Sequence, residues 1–85
     1  MLHLYTSPQC PYCRKVEAYL DGRAIPYEIR DVSTKPEFRD TVVSLGGNLQ
    51  VPFLVDTEQN VHLYESDDII TYIGEHYDQS PTTDH

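Results

Sequence analysis

Apolar and polar side chains alternate in Leu2-His3-Leu4-Tyr5-Thr6, and these residues are β-prone, which predicts a strand over residues 2–6. The period then lengthens. Pro11 suits a first helical position, and Cys13, Val16, Tyr19 and Leu20 form one apolar face. Residues 11–22 therefore read as a helix that Gly22 can end in a left-handed turn. A second short strand is expected over residues 26–31. Thr34 to Gly47 reads as a second helix. In it Thr34 and Glu37 stand at capping-box spacing, Phe38, Val42 and Leu45 share a face, and two glycines form the stop. An apolar run over residues 51–55 has strand length, and an alternating segment, Asn60 to Glu65, follows a turn. The last helix begins at Ser66, a good N-cap. Asp67 and Asp68 favour the positive end of its dipole, and Ile69, Ile70, Ile73 and Tyr77 supply its buried stripe.

The resulting order is β-α-β-α-β-β-α. The first strand–helix–strand unit should place its strands parallel through a right-handed crossover. The last two strands, joined by a short turn, should be antiparallel. A four-stranded mixed sheet with helices on both faces follows, an α/β architecture. Residues 1–79 read as one domain and the polar residues 80–85 as a tail.

Composition narrows the function. The chain has 85 residues, 39% of them apolar, which suffices for one modest core. The formal charge of −8 speaks against nucleic-acid backbone and anionic membrane surfaces as partners, since both select clustered Lys and Arg. No segment reaches the roughly 20 apolar residues of a membrane span. The first residues lack a basic region and a long apolar run, so no signal peptide is expected and a reducing, cytoplasmic location is. Nothing in the sequence demands more than a monomer.

The two cysteines, Cys10 and Cys13, carry the candidate chemistry. Cys10 falls just after a strand and at the start of a helix, where unpaired N–H groups and the dipole favour an anion. A thiol so placed is a candidate nucleophile, and Arg14 and Lys15 add positive charge one turn away. Cys13, about one turn on, can close a small disulfide ring with it and so resolve a mixed disulfide. The spacing also permits half of a zinc site or a static disulfide. There is no second such pair, however, and the histidines are scattered at positions 3, 62, 76 and 85. A ring this short would also restrain the unfolded chain little.

The segment Tyr5-Thr6-Ser7-Pro8-Gln9-Cys10-Pro11-Tyr12-Cys13 resembles the active-site start of a glutaredoxin, with its Cys-Pro-Tyr-Cys dithiol motif. Gln50 to Val55 resembles that family's segment with a cis proline, and Tyr64 to Ile73 the segment that opens its last helix and holds the γ-glutamyl end of glutathione. The resemblance covers nearly the whole chain and implies a thioredoxin-like fold. It implies glutathione as co-substrate, no metal, and glutathionylated or disulfide-bonded client proteins. Cys10 would be the nucleophile and Cys13 the resolving thiol. Pro52 would be cis and turn the Val51 backbone towards the cysteines, to pair with glutathione like an added strand. Ser66 and Asp67 would meet the glutamyl carboxylate and ammonium. Tyr12 would flank the ligand, and Arg39 would reach its glycine carboxylate.

The sequence departs from that pattern at Ser7, where glutaredoxins often carry Lys, and at Gln50, where they often carry Thr. Tyr64 and Glu65 replace a glycine pair. The run Leu63-Tyr64-Glu65-Ser66 instead resembles glutathione transferase N-terminal domains, in which Glu65 and Ser66 would bind the glutamyl group. The leading expectation is a disulfide oxidoreductase. A transferase-like glutathione-binding module and an iron–sulfur carrier are the alternatives, and Pro11 counts against the last.

Overall fold

The computed structural model describes residues 2–77 of the chain. The order is β1 (Leu2–Thr6), α1 (Pro11–Gly22), β2 (Tyr27–Asp31), α2 (Pro36–Gly46), β3 (Phe53–Asp56), β4 (Val61–Leu63) and α3 (Ser66–His76). The strands form one sheet in the order β2-β1-β3-β4. β1 and β2 run parallel, with Leu4 beside Ile29. β3 runs antiparallel to both β1 and β4. This is the expected thioredoxin-like α/β fold. The expected tail, residues 80–85, lies outside the described residues. Among those described, no helix is long and apolar enough to cross a membrane.

Alternation along the strands divides the core in two. Leu2, Leu4 and Leu54 point to one face, where Val16 and Leu20 of α1 and Ile69 and Ile73 of α3 meet them. Tyr5, Phe53 and Val55 point to the other face and pack with Val42 and Phe38 of α2. Each fully buried aliphatic side chain in these clusters contributes about 1.5–3 kcal/mol. The two clusters clamp the sheet, and the site forms at its upper edge, where β1 hands over to α1.

Helix ends depart from expectation for local reasons. Gly22 is still helical, and the left-handed residue is Ala24, at φ 55°. The Ile25 N–H donates to the Leu20 carbonyl (3.1 Å) and the Ala24 N–H to that of Asp21 (3.2 Å), a Schellman closure. Ile25 decides the position, because its side chain must return to the core beside Leu20. Ala24→Gly is accordingly expected to stabilise the fold by about 0.5–1 kcal/mol, since only glycine adopts positive φ freely. A lower melting temperature for that variant would contradict this account of the turn.

At α2 the Thr34–Glu37 capping box does not form. Pro36 forces the residue before it into extended backbone, so Lys35 becomes the N-cap. Thr34 turns back instead, donating its hydroxyl to the Asp31 carbonyl (2.7 Å). Gly47, at φ 94°, ends α2 as expected. Leu45 stays exposed rather than joining the buried face.

Candidate active site

Cys10 is itself the N-cap of α1, with extended backbone at φ −100° and ψ 106°. Its Sγ accepts the Cys13 N–H at 3.1 Å, the bond a serine or threonine hydroxyl makes at other helix starts. The preceding loop is held by the Cys10 N–H on the Ser7 carbonyl (3.2 Å) and by the Arg14 guanidinium, which donates to the Pro8 carbonyl (3.1 Å). Arg14 also pairs with Glu17 (2.8 Å). Both cysteines are free thiols, and they differ sharply in setting. Cys13 is 0% exposed. Burial, then its hydrogen bond with Cys10, pushes its thiol up to about 12, so it stays protonated at neutral pH. Cys10 is half-buried and reachable.

Val51 faces Cys10. The Cys10 thiol donates towards the Val51 carbonyl over 3.8 Å, and the Val51–Pro52 peptide bond is cis, as the resemblance implies. A cleft of about 380 Å³ opens here, lined by Gln50, Val51 and Pro52 before β3, by Tyr64 to Asp67 before and at the start of α3, and by Tyr12 of α1. Its volume falls within the range of about 300–1,000 Å³ usual for small-molecule sites.

Ser66 is not the N-cap. Glu65 takes that position, makes no side-chain cap, and accepts a hydrogen bond from the Gln50 amide at 3.5 Å. Ser66 is the first helical residue and is only 8% exposed. The first helical bond of α3 is Ile69 N–H to the Glu65 carbonyl (2.8 Å). The N–H groups of Ser66, Asp67 and Asp68 therefore have no acceptor within the helix, an arrangement suited to a carboxylate. The Asp67 carboxylate pairs with Lys15 of α1 at 2.7 Å. Both side chains are more than half exposed, so this pair contributes at most about 1 kcal/mol and another ammonium can exchange for Lys15.

The cleft thus collects Tyr12, Val51, Pro52, Glu65, Ser66 and Asp67 beside the cysteines. Arg39 is not brought to it. Phe38 and Val42 turn inward from α2, and Arg39 is left exposed on the outer side. Among the described residues, no group of three or more His, Cys, Asp or Glu side chains gathers as a metal site would. Sequence reasoning missed what Tyr64 does. The one signal was its presence where a glycine pair is usual in the resembling family.

Fold and site together define a thioredoxin-fold protein with a dithiol at the start of its first helix and a cleft running to the start of its last. The family model for the glutathione S-transferase N-terminal domain matches residues 4–81, and the chain belongs to that family. A glutathione S-transferase from the Antarctic clam Laternula elliptica superposes with a TM-score of 0.78 at 27% identity, over 94% of this chain and 36% of that one. Glutaredoxin 2 from Salmonella typhimurium, solved in complex with glutathione, superposes with a TM-score of 0.72 at 27% identity, over 86% of this chain and 32% of that one. The glutathione S-transferase-like protein OpS6 of Beauveria bassiana is 33% identical, over 99% of this chain and 38% of its own length. The chain spans about a third of the length of the curated relatives it matches first.

Proposed function

We propose that the protein is a glutathione-dependent thiol–disulfide oxidoreductase that reduces protein–glutathione mixed disulfides and protein disulfides. The observation that carries this reading is the placement of the Cys10 sulfur. It sits between the Cys13 amide and the Val51 carbonyl, beside a cleft of a size to take a tripeptide. The Cys10 thiolate attacks the glutathione sulfur of a mixed disulfide, the Cys10–glutathione bond forms, and the client leaves as a thiolate. A second glutathione thiolate then attacks the glutathione sulfur of that intermediate. This releases oxidised glutathione and restores the Cys10 thiolate. For a protein disulfide, Cys13 gives up its proton and displaces the client from Cys10, and two glutathiones reduce the resulting Cys10–Cys13 disulfide.

Glutathione lies with its cysteinyl backbone on Val51 and its glutamyl carboxylate on the free N–H groups at the start of α3. Its ammonium takes the place of Lys15 on Asp67, and Tyr12 flanks it. The setting is a reducing one such as the cytoplasm, and the domain acts as a monomer. The glutathione-bound glutaredoxin among its structural neighbours supports this seat.

The test is glutathione-dependent turnover of a glutathionylated peptide. Asp67→Asn is expected to raise KM for glutathione about fivefold, near 1 kcal/mol for an exposed ion pair, with little change in kcat. A second reading, favoured by the family match and by Glu65–Ser66, is the glutathione-binding half of a transferase. Conjugation of glutathione to an aryl halide without peptide turnover would select it.

A further inference from the structure

Tyr64 stands between β4 and α3 and takes no part in the chemistry above. Its hydroxyl accepts the Asn48 N–H at 3.0 Å and donates to the Asn48 carbonyl at 2.5 Å. One phenol thus satisfies both backbone groups of a single residue in a segment that belongs to no helix or strand. The ring lies 4.7 Å from that of Phe53, centroid to centroid, and is anchored in the cluster that holds Tyr5 and Val42. Gly46 completes the seat, because a Cβ there would overlap the phenol. The Gln50 amide reaches Glu65, a second tie between the same two stretches of chain.

We infer that Tyr64 is the positioning residue of the site, holding the Asn48–Gln50 segment and, through it, the Val51 carbonyl against Cys10. Val51 follows this segment directly, and its carbonyl accepts from the Cys10 thiol over 3.8 Å. A segment without ladder hydrogen bonds takes its place from such side-chain ties, so releasing the phenol frees Val51 to move. The inference rests on the proposed glutathione site for its kinetic consequence only.

Tyr64→Phe keeps the ring on Phe53 and removes the hydroxyl alone. Amide exchange at Asn48 and Val51 is expected to quicken about tenfold, with α1 unchanged. Alkylation of Cys10 by iodoacetamide should quicken about threefold, because the carbonyl that receives its S–H has lost its place. KM for glutathione should rise about fivefold while kcat changes little, a split that lowered stability alone does not produce. If the wild type turns over no glutathione, yet exchange and alkylation both quicken in the variant, the positioning role stands and the proposed function falls. Wild-type exchange at Asn48 and Val51 would overturn the inference. So would faster exchange with Cys10 alkylation unchanged.

Discussion

Cys10→Ser is expected to lower glutathione-dependent turnover of a glutathionylated peptide about a thousandfold or more, to the uncatalysed background, because no other thiol can take its place. Cys13 is the only alternative, and it is fully buried with its thiol pushed up to about 12. At neutral pH it is neither ionised nor reachable. The converse variant separates the two roles. Cys13→Ser should keep peptide turnover within about threefold, since the second glutathione, not Cys13, releases Cys10 from its mixed disulfide. Reduction of a protein disulfide should fall much further in that variant, because there Cys13 must displace the client. Cys13→Ala guards against a fault of packing, since the site lies in the core and a serine hydroxyl there needs an acceptor. The measurement is a glutathione reductase-coupled rate for all variants on both substrates. Peptide turnover lost in Cys13→Ser and Cys13→Ala, with the fold intact, would overturn the single-cysteine step.

How far this site could be read beforehand depends on the range of each contact. Strand alternation and the apolar faces of Val16–Leu20 and Ile69–Ile73 are local patterns, and both core clusters follow from them. Cys10, Cys13, Val51 and Pro52 were legible because a short motif carries their geometry. Helix ends were less so, because tertiary demands move them: burial of Ile25 shifts the left-handed residue to Ala24, and Pro36 takes the cap away from Thr34. Ser66 looked like a cap by residue type, yet Glu65 has the cap position and Ser66 starts the helix inside the cleft. The pairing of Lys15 with Asp67 and the grip of Tyr64 on Asn48 join segments far apart in the chain, and no periodicity announces either. Arg39 shows the opposite failing. Its residue type suited a carboxylate, but the faces of α2 that pack on the sheet leave it outside.

Asp56→Ala is expected to destabilise the fold by about 3 kcal/mol, a large share of the roughly 5–15 kcal/mol that holds a domain together. Asp56 closes β3 and is 0% exposed. Its Oδ1 accepts the N–H groups of Glu58 (3.0 Å) and Gln59 (3.3 Å), which shapes the turn into β4. Its Oδ2 accepts the hydroxyls of Tyr72 and Tyr77, each at 2.5 Å, which ties that turn to the end of α3. Burial by itself would push the carboxyl up. The bonds from Tyr72, Tyr77, Gln59 and Glu58 outweigh it and hold the group below its ordinary value. The pH dependence follows from that direction. A carboxyl depressed in the folded state adds stability that is fully present above its unfolded value of about 3.9 and is lost as pH falls through the folded one. The tyrosines give the opposite limb: burial, then the bond to Asp56, pushes Tyr77 up to about 12 and Tyr72 higher still. Their share is fully present below their unfolded value of about 10 and is lost as pH rises through the folded one. Asp56→Asn keeps an acceptor for the turn and discards the charge, so it should cost less than Asp56→Ala at pH 7. Its deficit against the wild type should shrink as pH falls below the unfolded value of about 3.9 and through the lower folded one, as the wild-type carboxyl becomes protonated. Urea unfolding of all three proteins across that range measures both effects. A deficit that stays constant with pH would mean that Asp56 acts by shape alone, without its charge.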